Sequence, residues 1–264
     1  MNITALLRVA RNVSHLESAA AFYTSACGFL PLGPIREDPR LAKLLAVERV
    51  KISRMRLGAQ ELELSECVPK GAAYPPRIRA NDPAFQHIAI ITTDIAAAHA
   101  NLARLGAQSI SSNGPAHLPG GLSALKFRDP DGHPLEFLQF SAGTTTPAKG
   151  YDHSAICVSN LEASIAFYAT LGVHLAARQL NHGPAQDALD GLPDVSVDVI
   201  ALRPAQPTPH VELLHYRRPK PGFAAAYVPA DICADRLVFG GTDNGLALLR
   251  DPDGHVVMID GRKQ

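Results

Sequence analysis

This chain of 264 residues has no excess of either charge: 25 Lys and Arg balance 25 Asp and Glu. No basic stripe or like-charge run disturbs that balance, so nucleic acid and membrane surfaces are excluded as expected partners. No apolar run approaches a bilayer span, and the opening MNITALLRVARNV lacks the apolar centre of a secretory signal. Cysteine is scarce: Cys27, Cys67, Cys157 and Cys233 show no CxxC spacing and lie in apolar or strand-like contexts. Such thiols read as buried and free, in a reducing, cytoplasmic compartment. With 46% hydrophobic residues the chain can build a real core, as one large or two ordinary domains.

Repetition dominates what is there. The segment LLRVARNVSHLESAAAFYTSACGFL from Leu6 recurs as HSAICVSNLEASIAFYATLGVHL from His153, with Phe-Tyr at 22–23 and again at 167–168. A third copy, HIAIITTDIAAAHANLARLGAQ, starts at His87. Each reads as a strand, a capped helix and a glycine stop. Ser14-x-x-Glu17 and Ser159-x-x-Glu162 fit a capping box, Asp94 is a good N-cap, and Gly28, Gly106 and Gly172 sit where the helices should end. Strand-like runs follow each helix: 50–57 and 61–67, 124–128 and 134–140, 195–202 and 210–216. The predicted fold class is therefore α+β, from repeated βαβββ modules, three intact and a fourth truncated.

The densest signal is LKFRDPDGHPLEFLQF at Leu125–Phe140, which returns as LLRDPDGHVVMID at Leu248–Asp260. Asp-Pro-Asp-Gly is a tight turn, and the alternation after it makes a strand. Glu136 and Leu138 then share one face. A carboxylate on an inner face needs a partner, because an unpaired buried charge costs several kcal/mol. The expected division is 1–141, with modules of about 3–67 and 85–140, and 151–264, with modules of about 151–216 and 228–260. Ser141–Lys149 is the linker. Ser109–Ser123 is a long Gly/Pro-rich connection, either a surface loop or a lid.

Paired strand–helix–three-strand modules, a His opening the first strand, Phe-Tyr in the helix and DPDGH-x-LEF at the end together resemble the vicinal oxygen chelate superfamily. Its members include glyoxalase I, extradiol dioxygenases and bleomycin-binding resistance proteins. The resemblance implies that modules pair into two cup-shaped mixed sheets with helices outside. Each module would place one residue of its first strand and one of its last on the inner wall. Those positions are Arg8 and Glu63, His87 and Glu136, His153 and Glu212, and Arg236 and Met258.

Pairing sequence neighbours would leave two mixed sites. Pairing the middle modules puts His87, Glu136, His153 and Glu212 in one cup and leaves Arg8, Glu63, Arg236 and Met258 as a degenerate one. Charge favours the second arrangement: two carboxylates balance a divalent cation, whereas guanidinium groups repel one and can pair with Glu63. Strand parity adds Tyr151, Cys157, His210 and Tyr216 as pocket walls. His133 and His255 read as turn-capping residues.

The expected cofactor is one divalent ion (Zn, Ni, Co, Mn or Fe), and the expected partner a small-molecule substrate, on a monomer or homodimer. The function implied is a glyoxalase-like isomerase or lyase with Glu136 or Glu212 as general base. An extradiol-type dioxygenase and a metal-free binding protein of the resistance type are the alternatives.

Overall fold

The computed structural model describes residues 3, 5–141, 150–205, 209–222, 226–241 and 245–261. Of the expected linker, 142–149 lies outside the described residues. The first module is β1 (Leu6–Asn12), α1 (Leu16–Cys27), β2 (Leu30–Pro31), β3 (Arg36–Glu37), α2 (Pro39–Leu45), β4 (Arg49–Leu57) and β5 (Gln60–Val68). The second is β6 (Gln86–Ile91), α3 (Ile95–Arg104), β7 (Ala116–Leu118), β8 (Leu122–Arg128) and β9 (Pro134–Gln139). The third is β10 (Tyr151–Cys157), α4 (Leu161–Thr170), β11 (His174–His182), α5 (Pro184–Asp190), β12 (Ser196–Arg203) and β13 (His210–Arg218). Among the described residues the fourth has strands alone: β14 (Arg236–Gly240), β15 (Leu246–Arg250) and β16 (Val256–Asp260).

Two mixed sheets result. One runs β15-β16-β14-β1-β5-β4-β2 with β3 on β4, the other β11-β12-β13-β10-β6-β9-β8-β7. The first module thus joins the fourth and the second joins the third, through antiparallel contacts of β1 with β14 and β6 with β10. Each sheet takes strands from both of the expected segments 1–141 and 151–264. The convex faces and helices α1, α3 and α4 share one core, in which Tyr23, Phe29, Phe127, Phe137, Tyr168 and Phe239 are fully or nearly fully buried.

The capping boxes are displaced by one residue. The N-caps are His15 and Asn160, whose side chains accept from the Ser18 and Ala163 N–H groups. Tertiary contacts explain the shift. Ser14 N–H donates to Asp131, and Ser159 N–H donates to Asp253, each at 2.9 Å. These aspartates belong to the two DPDGH turns, so each serine is taken up by a neighbouring module. Two short helices, α2 and α5, were not anticipated by periodicity; at seven residues each they are too short to show it. Leu105, just beyond the end of α3, is 40% exposed.

Candidate metal centre

The strand registers superpose the two cups position by position. In one sheet Ala155 on β10 pairs with both Glu212 and His87, His153 follows two residues earlier, and Ala89 pairs with Glu136. In the other, Ala10 pairs with both Glu63 and Arg236, Arg8 is two residues earlier, and Val238 pairs with Met258. His87, Glu136, His153 and Glu212 therefore hang from four central strands onto one concave wall.

Glu136 lies at the middle of the set. Its Oε2 is 2.9 Å from His87 Nε2 and 3.8 Å from His153 Nε2, while Glu212 Oε2 is 3.4 Å from His153 Nε2. Ligand atoms of His87, Glu136 and His153 all lie within 4.8 Å of one another. Glu212 stands further out, half turned to His210 Nε2 at 3.4 Å. Neither ring nitrogen of the buried His87 has a hydrogen-bond partner among the described residues, although Glu136 is so close. Buried polar nitrogens are normally satisfied, and two donor atoms that converge without an aligned hydrogen bond fit ligands aimed at a common cation.

The electrostatics agree with a cation site. Burial, with Lys126 and His153 nearby, holds His87 below its usual range, which favours the neutral ring with one nitrogen lone pair free. Burial also opposes ionisation of Glu136, but Lys126, His87 and His153 outweigh it and bring the carboxyl down to about 2. His153 resists burial in turn. Glu212, Asp152 and Glu136 raise it to about 9, so without a bound cation its proton answers the surrounding carboxylates. The four residues fit a divalent ion, with two neutral imidazoles and two carboxylates as donors.

Parity fails at one point. A register shift between Tyr151 and His153 turns Asp152 onto the concave wall and Tyr151 away from it. Tyr151 does not line the cavity; it lies in the core between the sheets and its hydroxyl donates to Glu61 O at 3.1 Å. Asp152 instead sits 3.0 Å from His153 Nδ1, the contact that leaves Nε2 facing the carboxylates. Cys157 is also no wall residue, since its thiol donates to Ala80 O and its environment is apolar. Tyr216 does line the cavity, and His210 borders it through Glu212.

Periodicity missed three more groups. Lys126, opposite Glu136 on β8, is buried with its ammonium 2.6 Å from Asp190 of α5, and Gln186 donates to the same carboxylate at 2.9 Å. The one available signal was parity on β8, which puts Lys126 on the face of Glu136 across the DPDGH turn. The cavity holds about 190 Å³. The connection 109–123 is part of its wall, through Leu118 and Leu122. It is tied to α5 by Ser111 Oγ–H to Leu189 O and Ser112 N–H to Ala188 O, both at 2.9 Å. Gly191, which ends α5 at φ 61°, touches this connection so closely that a Cβ would lie 2.4 Å from Ile110 O.

The other cup is filled. Leu41, Ala42 and Leu45 of α2 pack against Ala10, Val50, Val238 and Met258. Arg8 donates to Glu63 at 3.0 Å and to Asp260 at 2.7 Å. Arg236 does not bond Glu63, as charge had suggested; it donates to Asn12 at 2.6 Å and Ser65 at 2.9 Å. Asp260, one turn of alternation beyond Met258, supplies the second carboxylate for Arg8 instead.

Residues 5–137 match the family model described as the glyoxalase/bleomycin resistance protein/dioxygenase superfamily. Among solved structures, glyoxalase I from Zea mays is 16% identical, with TM-score 0.61 and coverage of 97% of this chain and 92% of that one. A mutant of the same enzyme gives 17%, 0.63, and 97% and 93%. A proposed dioxygenase from Bacillus subtilis subsp. subtilis str. 168 gives 11%, 0.59, and 98% and 85%. At such identities the likeness establishes the fold alone. No curated protein matches the chain significantly.

Proposed function

Because the chain belongs to the glyoxalase/bleomycin resistance protein/dioxygenase superfamily, we propose that it is a metal-dependent enzyme of the glyoxalase-like isomerase or lyase kind. The substrate would be a small molecule with two neighbouring oxygens. The observation that carries this reading is the contrast between the cups. One places two imidazoles and two carboxylates on a cavity wall, and the other fills the same positions with Arg8, Glu63, Arg236 and Met258 inside a packed core. A fold that needed only a core would not require the first arrangement.

His87, Glu136, His153 and Glu212 would hold the ion, which supplies Lewis-acid polarisation of the substrate oxygens. The geometry separates the two glutamates. Both carboxyls are held below the usual range against burial, Glu136 by the nearby Lys126 and Glu212 by His153 and His210, so position separates them: Glu136, central to the set, is the firm ligand. Glu212 is 18% exposed in its side chain, reaches the cavity and has His210 beside it. It is the residue able to swing and take a proton from the substrate carbon. Asp152 holds His153 in the orientation the site needs. Walls of Leu118, Leu122, Leu138 and Val199 keep water from the reacting carbon.

One observation favours a second reading. The tight trio of His87, His153 and Glu136, with Glu212 set apart, has the composition of an iron(II) facial triad. A single experiment divides the two. Protein purified without chelators is assayed for metal content, and turnover of vicinal-oxygen substrates is followed in deuterated water. One divalent ion per chain, lost in His87→Ala, with deuterium entering the substrate carbon, is the expected result. Oxygen-dependent turnover requiring iron, with no exchange at carbon, would establish the dioxygenase. Absence of any bound ion would remove both.

A further inference from the structure

The matching registers make the filled cup an internal control for the open one. Helices α2 and α5 occupy equivalent places, each seven residues long with proline first, α2 against β15 and α5 against β8. Aligning Pro39 with Pro184 sets Leu41 against Gln186 and Leu45 against Asp190, and all four are buried. The strand pairs set Leu248, opposite Met258, against Lys126, opposite Glu136. Cys67 and Tyr216 correspond too, four residues after Glu63 and Glu212. Where one cup is closed by leucine and cysteine, the other holds a connected polar group. Lys126 donates to Asp190 Oδ1 at 2.6 Å, while Gln186 and Tyr216 donate to Oδ2 at 2.9 and 3.0 Å.

The fold does not need this group, since leucines serve at the same positions. Nor is a buried ion pair generally more stabilising than apolar residues of similar volume. What the group achieves is to hold an ammonium on the cavity wall, one strand across from Glu136. Asp190 takes one of its three N–H donors, and no other hydrogen-bond acceptor for Nζ is found among the described residues. The charge is already matched by Asp190, and the carboxylates of Glu136 and Glu212 match a divalent ion, so no positive charge is left over for an anionic substrate. Leu118, Leu122, Leu138, Leu189 and Val197 make much of the remaining wall apolar, and Gln179 and Asn181 of β11 add uncharged polar groups to it.

We propose that Lys126, fixed by Asp190, is a substrate-binding residue that donates to a third oxygen of a small uncharged molecule, beyond the two neighbouring oxygens held at the metal centre. Gln186 and Tyr216 are positioning residues that act through Asp190. This rests on the metal-centre reading above, and the test keeps the two apart. Catechol and pyrogallol are uncharged chelating probes that differ by one hydroxyl. Their binding to the zinc(II)-loaded protein is measured anaerobically by calorimetry, with metal content checked by elemental analysis. In Lys126→Met, and in the double variant Lys126→Leu/Asp190→Leu that copies the filled cup, the pyrogallol-to-catechol affinity ratio falls about tenfold, the loss of one hydrogen bond to a charged donor. Zinc content is checked in each variant, and the ratio carries the test because any change that reaches the zinc through Glu136, beside Lys126, acts on both probes alike. A ratio unchanged in both variants, or an equal loss for both probes, overturns the role of Lys126. Failure of the metal-centre reading shows separately, as no retained zinc in the wild type, and if the wild type then binds neither probe, both readings fall.

Discussion

His133 lies between two acceptors. Its Nδ1 is 2.9 Å from Asp129 Oδ2 and its Nε2 is 2.9 Å from Ile232 O, so both nitrogens must donate and the ring is an imidazolium. Burial opposes that charge, but Asp129 and Asp235 raise the histidine above its usual value, and the histidine and Arg11 help bring Asp129 down to about 2. A histidine with a raised folded-state value stabilises fully below about pH 6.5 and loses that contribution as pH climbs through the folded value. The aspartate's share is present above about pH 4 and fades toward pH 2. His133→Gln should therefore cost about 3–5 kcal/mol near pH 6, as for half of a buried pair. The gap to wild type should narrow as pH rises, which urea unfolding from pH 6 to 9 measures.

At the same scale the two site glutamates should part company. Glu136→Gln removes the central donor and should weaken metal binding by more than the ~10–100-fold of outer-contact changes. Glu212→Gln should keep most of the metal yet abolish proton abstraction. Competition with a chromophoric chelator, run beside the deuterium-exchange assay, checks the pair, and reversed behaviour would exchange their roles.

Single elements show where local preference yields to tertiary contact. α2 and α5 begin alike, after Asp38 and Gly183, with proline at the first turn. Their buried residues then decide that one seals a core and the other lines a cavity. In the sealed cup Arg8 bridges Glu63 on β5 and Asp260 on β16, tying the first module to the fourth. Glu63→Gln should cost only about 1–3 kcal/mol, because Asp260 still faces Arg8 and a neutral acceptor remains. Metal content, set in the other sheet, should not change. Thermal unfolding with parallel elemental analysis tests this, and a loss of metal would mean that the cups are not independent.

For the whole molecule, the crossed pairing has a direct consequence. His87 and Glu136 lie before the 142–149 segment and His153 and Glu212 after it, and the β6–β10 contact that unites them crosses that segment. Separately produced Met1–Ser141 and Ala142–Gln264 should each fail to bind the ion, and mixing them should restore one site. Metal binding by either half alone, with the affinity of the intact chain, would contradict the arrangement.

How much of this could be read beforehand follows from which interactions are local. The inner-wall positions followed from the family resemblance laid over the repeats; the three full repeats, the shortened fourth and the turns at 129–133 and 251–255 were legible in the amino-acid sequence itself. They are written in alternation, turn residues and repeat spacing, which act within a few residues. The pairing of modules was legible only through charge, since His and Glu belong around a cation and Arg does not. Three things were decided by tertiary structure alone. The bulge that exchanges Tyr151 for Asp152 depends on how β10 meets β6. The use of Ser14 and Ser159 by turns of other modules depends on docking. Lys126, Asp190, Gln186 and Tyr216 meet only because a short helix of the third module folds over a strand of the second. No local pattern encodes such a meeting, because its partners lie up to 90 residues apart along the chain, as in Tyr216 and Lys126, and are joined only when the cup closes.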